Sequence, residues 1–150
     1  MQPVYDGSQA LAIGRAITLK EGVDLTVIAT GDLVLPALQA CEQMEKEGLS
    51  IRLLNMHTIK PIDESAILMA ARETGAIVTV EDNNWLGGLG GAVCEVTAGA
   101  CPVPVVRVGL ADTFAESGEY ALLLEKYGLS AQAITAAIKQ AHQRKEAASC

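Results

Sequence analysis

The chain has 150 residues, 50% of them hydrophobic, with a mean hydropathy of +0.28, enough to fold as one domain that buries roughly two-thirds of its unfolded-chain surface. Lys and Arg number 11 against 18 Asp and Glu, a net charge of -7, which repels phosphate backbones and anionic lipid and argues against nucleic-acid and membrane partners. No apolar run approaches the roughly 20 residues that span a bilayer, and Met1-Gln2-Pro3-Val4-Tyr5-Asp6 lacks the basic start and apolar core of a signal peptide, so a cytoplasmic location is expected.

Along the chain the pattern alternates strand and helix. Residues 1–24 break it: Ala10-Leu11-Ala12-Ile13, Gly14 and Ala16-Ile17-Thr18-Leu19 before a Lys20-Glu21-Gly22 turn read as a hairpin or an arm joining the domain, residues 25–150, to something upstream. Leu25-Thr26-Val27-Ile28-Ala29 is a β-branched run. After Thr30-Gly31-Asp32, Val34, Ala37, Leu38, Cys41 and Met44 fall at helical spacing, with Asp32 as the expected N-cap, Pro36 in the first turn, a Glu42–Lys46 pair on the wet face and Gly48 as the stop. The cycle repeats with Ile51 to Met56 as strand, a His57 to Pro61 connection, and a helix opened by Asp63 that turns Ile67, Ala70 and Ala71 inward before Gly75. A third strand, Ala76 to Val80, leads through Glu81-Asp82-Asn83-Asn84 and a glycine cluster to a small-residue helix over 91–98. The fourth strand is Val103 to Val108, where Pro102 and Pro104 cannot donate to a ladder and belong outside the sheet proper. Two helices close the chain, over 118–127 and, after a Ser130 cap, over 131–145, with fraying after Arg144. Apolar strands separated by helices predict an α/β fold, a three-layer α/β/α domain with a mostly parallel sheet covered on both faces.

Ligands of such sheets lie outside the carboxyl ends of the strands. Four loops qualify: Thr30 to Asp32, Met56 to Pro61, Glu81 to Gly91, and Gly109 to Phe114. Asp32 would occupy the first helix's donors and add negative charge, which favours capping over phosphate binding. Gly87-Gly88-Leu89-Gly90-Gly91 departs from a dinucleotide fingerprint in position and spacing, because Val93 stands where the third glycine or alanine belongs. Glycines there permit tight turns and close approach of another surface. Glu81 and Asp82 are candidate acid/base or cation ligands, although adjacent carboxylates on a strand end point to opposite sides and commonly cap neighbours. His57 is the best single candidate for proton transfer or substrate contact, set against a loop histidine satisfied by backbone. Asp112 and Thr113 can cap or tether the last loop. Trp85 beside the glycines reads as an anchor against a neighbouring domain or subunit, making Trp85, Gly87, Gly88, Leu89 and Gly90 the interface candidates.

The cysteines Cys41, Cys94, Cys101 and Cys150 show no C-x-x-C spacing, so neither a disulfide framework nor a zinc site is expected, and Cys41 and Cys94 read as small buried hydrophobes. Neither His57 nor His142 gives a cysteine a sequence-local base.

Ile13-Gly14-Arg15-Ala16, Val27-Ile28-Ala29-Thr30-Gly31, Thr58-Ile59-Lys60-Pro61-Ile62-Asp63, Val78-Thr79-Val80-Glu81-Asp82-Asn83, Gly87-Gly88-Leu89-Gly90-Gly91-Ala92-Val93 and Asp112-Thr113-Phe114 are individually weak but specific in order and spacing. Together they resemble the C-terminal domain of the transketolase family of thiamine-diphosphate enzymes, over almost the whole chain. Phe114-Ala115-Glu116-Ser117-Gly118 with Leu124-Glu125-Lys126-Tyr127-Gly128-Leu129 is most similar to the C-terminal subunit of a bacterial split transketolase. Deoxyxylulose-phosphate synthase and the β subunits of 2-oxo acid dehydrogenases share the earlier motifs. The resemblance implies two-carbon ketol transfer between sugar phosphates in pentose phosphate metabolism, with thiamine diphosphate and a divalent metal such as magnesium, in a dimeric enzyme. It also implies that diphosphate- and pyrimidine-binding domains, upstream of this one, hold the cofactor and supply its activating glutamate. No catalytic residue, cofactor site or metal ligand is thereby assigned to this chain, which is not expected to act alone. Asn83-Asn84 stand where family members commonly carry a histidine. A non-catalytic packing module is the first reading; an independent α/β domain binding a small anion or a protein is the second.

Overall fold

The computed structural model describes residue 4 and residues 10–148. Its elements are β1 (Ile17–Lys20), β2 (Leu25–Ala29), a 3-10 turn over Gly31–Leu33, α1 (Val34–Lys46), β3 (Ile51–Asn55), α2 (Glu64–Thr74), β4 (Ile77–Asn84), α3 (Leu89–Ala100), β5 (Val105–Leu110), α4 (Tyr120–Lys126) and α5 (Ala131–Ala148). The sheet order is β1-β3-β2-β4-β5. All neighbours pair in parallel except β1, which runs antiparallel along the edge of β3 with Ile17 opposite Asn55. The three-layer α/β/α arrangement expected from the alternation is therefore present.

Strand alternation divides the core in two. Leu25, Val27 and Ala29 of β2, with Val78 and Val80 of β4, face α1 and α5, meeting Ala37, Cys41, Ile134 and Ile138. Ile28, Leu54 and Ile77 point the other way, onto Ile67 and Ala71 of α2 and Leu89 and Val93 of α3. Each such aliphatic side chain contributes about 1.5–3 kcal/mol on full burial. Thr26, buried between the apolar positions, shares a 2.8 Å hydrogen bond with Thr74, whose hydroxyl also reaches the Ala70 carbonyl at 2.8 Å. The helix that carries Thr74 ends at Gly75, whose φ of +70° is open to glycine at little cost.

Several boundaries differ from the sequence reading. Residues 17–20 of the arm belong to the sheet as β1, and the residues before them are tied down too. The Gly14 N–H donates to Thr58 Oγ1 at 2.8 Å and the Ala16 N–H to Asp63 Oδ2 at 2.9 Å. The first nine residues other than Val4, and Cys150, lie outside the described residues. Asp32 is not the N-cap of α1: it lies inside the 3-10 turn, and Leu33 occupies the cap position without a side-chain bond. Glu42 and Lys46 form no pair; Lys46's neighbour Glu47 instead meets Lys139 of α5 at 2.7 Å. β4 runs to Asn84 rather than stopping at Val80, and α3 begins at Leu89, so Gly90 and Gly91 are helical. α5 continues to Ala148 past the expected fraying point, with Lys145 Nζ bound to the Asp24 carbonyl at 2.8 Å.

Candidate functional site

The carboxyl ends of β3, β2, β4 and β5 form one rim; the connection from β2 leads to β3 on one side, and the next crosses back past β2 to β4 on the other, making β2/β4 the switch point where such sheets accept ligands. What stands there is acidic. Gly31 turns with a φ of +61°, and a Cβ on it would lie 3.6 Å from Asp82 Oδ1. Asp32 and Tyr120 line the adjoining cavity of about 410 Å³ with Val34, Leu35 and Pro36. Burial pushes the Tyr120 phenol above its ordinary range, and the charges of Asp32 and Asp82 push it further. A phosphate at this switch point would meet carboxylates.

The other helix N-termini on this rim are already occupied by the chain's own carboxylates. Asp63 caps α2 by accepting from the Ala66 N–H at 3.1 Å, and it also takes the Ser65 hydroxyl at 2.7 Å. Burial alone would raise the Asp63 pKa; the bonds from the Ala16 N–H, the Ser65 hydroxyl and the Ala66 N–H, with nearby Arg15, outweigh it and hold the carboxyl below its usual value. Glu81, fully buried, does the same for α3 across the sheet. Its Oε2 accepts from the Leu89 N–H and its Oε1 from the Gly90 N–H, both at 2.8 Å. The first two donors of the glycine-rich helix thus receive an internal anion, where the positive end of the helix favours it.

The glycines are what let this carboxylate in. A Cβ on Gly88 would sit 2.0 Å from Glu81 Oε2, one on Gly90 2.8 Å from Arg107 Cδ, and one on Gly109 3.2 Å from Glu81 Cγ. Glu81 and Asp82 point to opposite sides of the sheet, as strand alternation requires, so they form no paired acid and base. Of the interface candidates, Leu89 and Gly90 are buried, Gly88 is half-buried against Glu81, and Gly87 is exposed beside it. Trp85 is half-buried under the Arg107 guanidinium, 5.3 Å from its ring centroid, while its neighbour Leu86 is exposed.

His57 lies at the end of β3, half-buried, with Nε2 enclosed and without a hydrogen-bond partner. β2 stands between it and Glu81–Asp82, a lateral separation of roughly 10 Å by strand spacing. No carboxylate orients His57, and the structure does not bring the three candidates together. Asn84 does work that the sequence did not announce: its side chain donates to Asp112 Oδ1 at 2.8 Å and accepts from the Leu86 N–H at 2.9 Å. Asp112 tethers its loop, as expected, and holds a φ of +48° while doing so. Arg107, unremarked in the sequence, donates to the Trp85 carbonyl at 3.3 Å.

A diphosphate with its divalent metal does not fit these residues. The helix donors it would use are bonded to Glu81 and Asp63, the switch point carries Asp32 and Asp82, and among the described residues no three His, Cys, Asp or Glu side chains converge on one point. No helix among them is long and apolar enough to cross a membrane.

Comparison with known proteins gives a consistent result. The family described as transketolase, C-terminal domain, matches residues 14–134. A 6-deoxy-6-sulfo-D-fructose transketolase subunit of Clostridium sp. (strain MSTE9) is 45% identical over 133 residues, 89% of this chain and 41% of that protein. A 1-deoxy-D-xylulose-5-phosphate synthase of Thermomicrobium roseum is 41% identical over 133 residues, 88% of this chain and 21% of the synthase. A solved split-gene transketolase chain, described as an inactive beta4 tetramer, superposes with a TM-score of 0.92 at 42% identity, over 96% of this chain and 47% of that one. The chain thus spans less than half the length of each of these relatives.

Proposed function

The chain belongs to the transketolase C-terminal domain family, and on that premise we propose that it is a non-catalytic packing module of a transketolase-type enzyme. In the complete enzyme, two-carbon ketol units pass between sugar phosphates, with thiamine diphosphate and magnesium held by diphosphate- and pyrimidine-binding domains outside residues 25–150. The observation that carries this reading is the capture of the α2 and α3 N-termini by Asp63 and Glu81, which spends the rim's anion-binding groups on internal structure. That same feature speaks against an independent anion-binding domain. The residues before Gly14 are then the joint to the upstream domain, the enzyme is dimeric and cytoplasmic, and its place is pentose phosphate metabolism. The role of this chain's residues is to pack and to position, and none of them moves a proton in the reaction.

A synthase of 1-deoxy-D-xylulose 5-phosphate is the second reading, favoured by 44% identity over 123 residues to one such enzyme of Desulforudis audaxviator. The experiment is a ketol-transfer assay with sugar phosphates, thiamine diphosphate and magnesium. The chain alone is expected to be inactive. Exchanging it for the matched region of the full-length Clostridium subunit, in the presence of that enzyme's other subunit, is expected to keep activity. Turnover by the chain alone overturns the reading; activity kept when the chain replaces the matched region of the Desulforudis audaxviator synthase, but lost in the Clostridium subunit, selects the second.

A further inference from the structure

We draw no further inference here: the strongest candidate, the groove of about 630 Å³ between α2 and α3 lined by Ile59, Ile62, Leu68, Ala92, Val96 and Gly99, is an open face of aliphatic and small side chains, and nothing in the structure shows what covers it.

Discussion

Replacing Glu81 by Gln separates a structural carboxylate from a reactive one, because it keeps shape and removes charge. In the native chain both oxygens accept backbone N–H groups at 2.8 Å, in a site with no exposure to water. Buried hydrogen bonds to a charged group are worth about 1.5–3 kcal/mol each. The Gln carbonyl keeps one of the two as a neutral bond, and its amide turns a donor toward the other N–H. One charge-assisted bond is lost outright and a buried donor is left unmatched, which together cost about 3 kcal/mol. For a chain of this length that lowers Tm by roughly 6–12 °C. Urea unfolding followed by circular dichroism, with an unchanged m-value, reads the loss. A Glu81→Gln protein within about 0.5 kcal/mol of wild type would refute the assignment of Glu81 as the α3 cap. Unchanged stability together with lost turnover in the full-length context would make it a reacting group instead.

Gly88→Ala places a methyl 2.0 Å from Glu81 Oε2 and 2.7 Å from the Asn84 carbonyl, and is expected to cost about as much as the cap itself, roughly 3 kcal/mol, by thermal melting. Wild-type stability there would contradict the packing of the glycine turn against Glu81. Asp63→Ala, which releases the α2 cap and the Ala16 tether, is expected to lose about 2–4 kcal/mol at neutral pH. Because the folded Asp63 pKa lies below its unfolded value, that contribution is present above the unfolded pKa and lost as pH falls through the folded one. Wild type and Asp63→Ala are therefore expected to converge as pH falls through the folded Asp63 pKa, which lies below the ordinary 3.8, whereas a gap that persists in stronger acid would show that the carboxylate's charge is irrelevant. Burial pushes the Cys41 thiol up to about 12, against a smaller opposing pull from Lys20. At pH roughly 8 an aromatic disulfide reagent is expected to label Cys94 and Cys101 and to reach Cys41 only on unfolding; Cys41 labelling as fast as Cys101 in the native protein would place it at the surface.

What could be read from residues alone was whatever depends on local chemistry. β2, β3 and the inward face of α2 follow from β-branched runs and helical spacing, and the Asp63 and Gly75 caps from residue types that satisfy helix ends. The continuation of β4 through Glu81-Asp82-Asn83-Asn84 was hidden, because these residues are poor strand formers. They remain extended because Glu81 is drawn to the α3 N-terminus and Asn84 to Asp112, both long-range contacts. The opposite orientation of Glu81 and Asp82 was legible from the period of a strand. Which face Glu81 meets was not, nor was the burial of Leu89, since that depends on where α3 lands. Likewise the spacing of residues 17–20 gave no sign that they close the sheet's edge, because four residues carry too little periodicity to distinguish an arm from a strand. Phe114 stood in a recognised motif, yet its full exposure depends on which elements pack over the β5 loop, and among the described residues none covers it.

The central claim, that this domain packs and does not hold the cofactor, is tested most directly by calorimetric titration of the chain with thiamine diphosphate and magnesium to millimolar concentrations. No heat beyond dilution is expected, because Asp63 and Glu81 occupy the donors a diphosphate would need. Saturable binding of one equivalent would contradict it and place a cofactor site at the acidic rim.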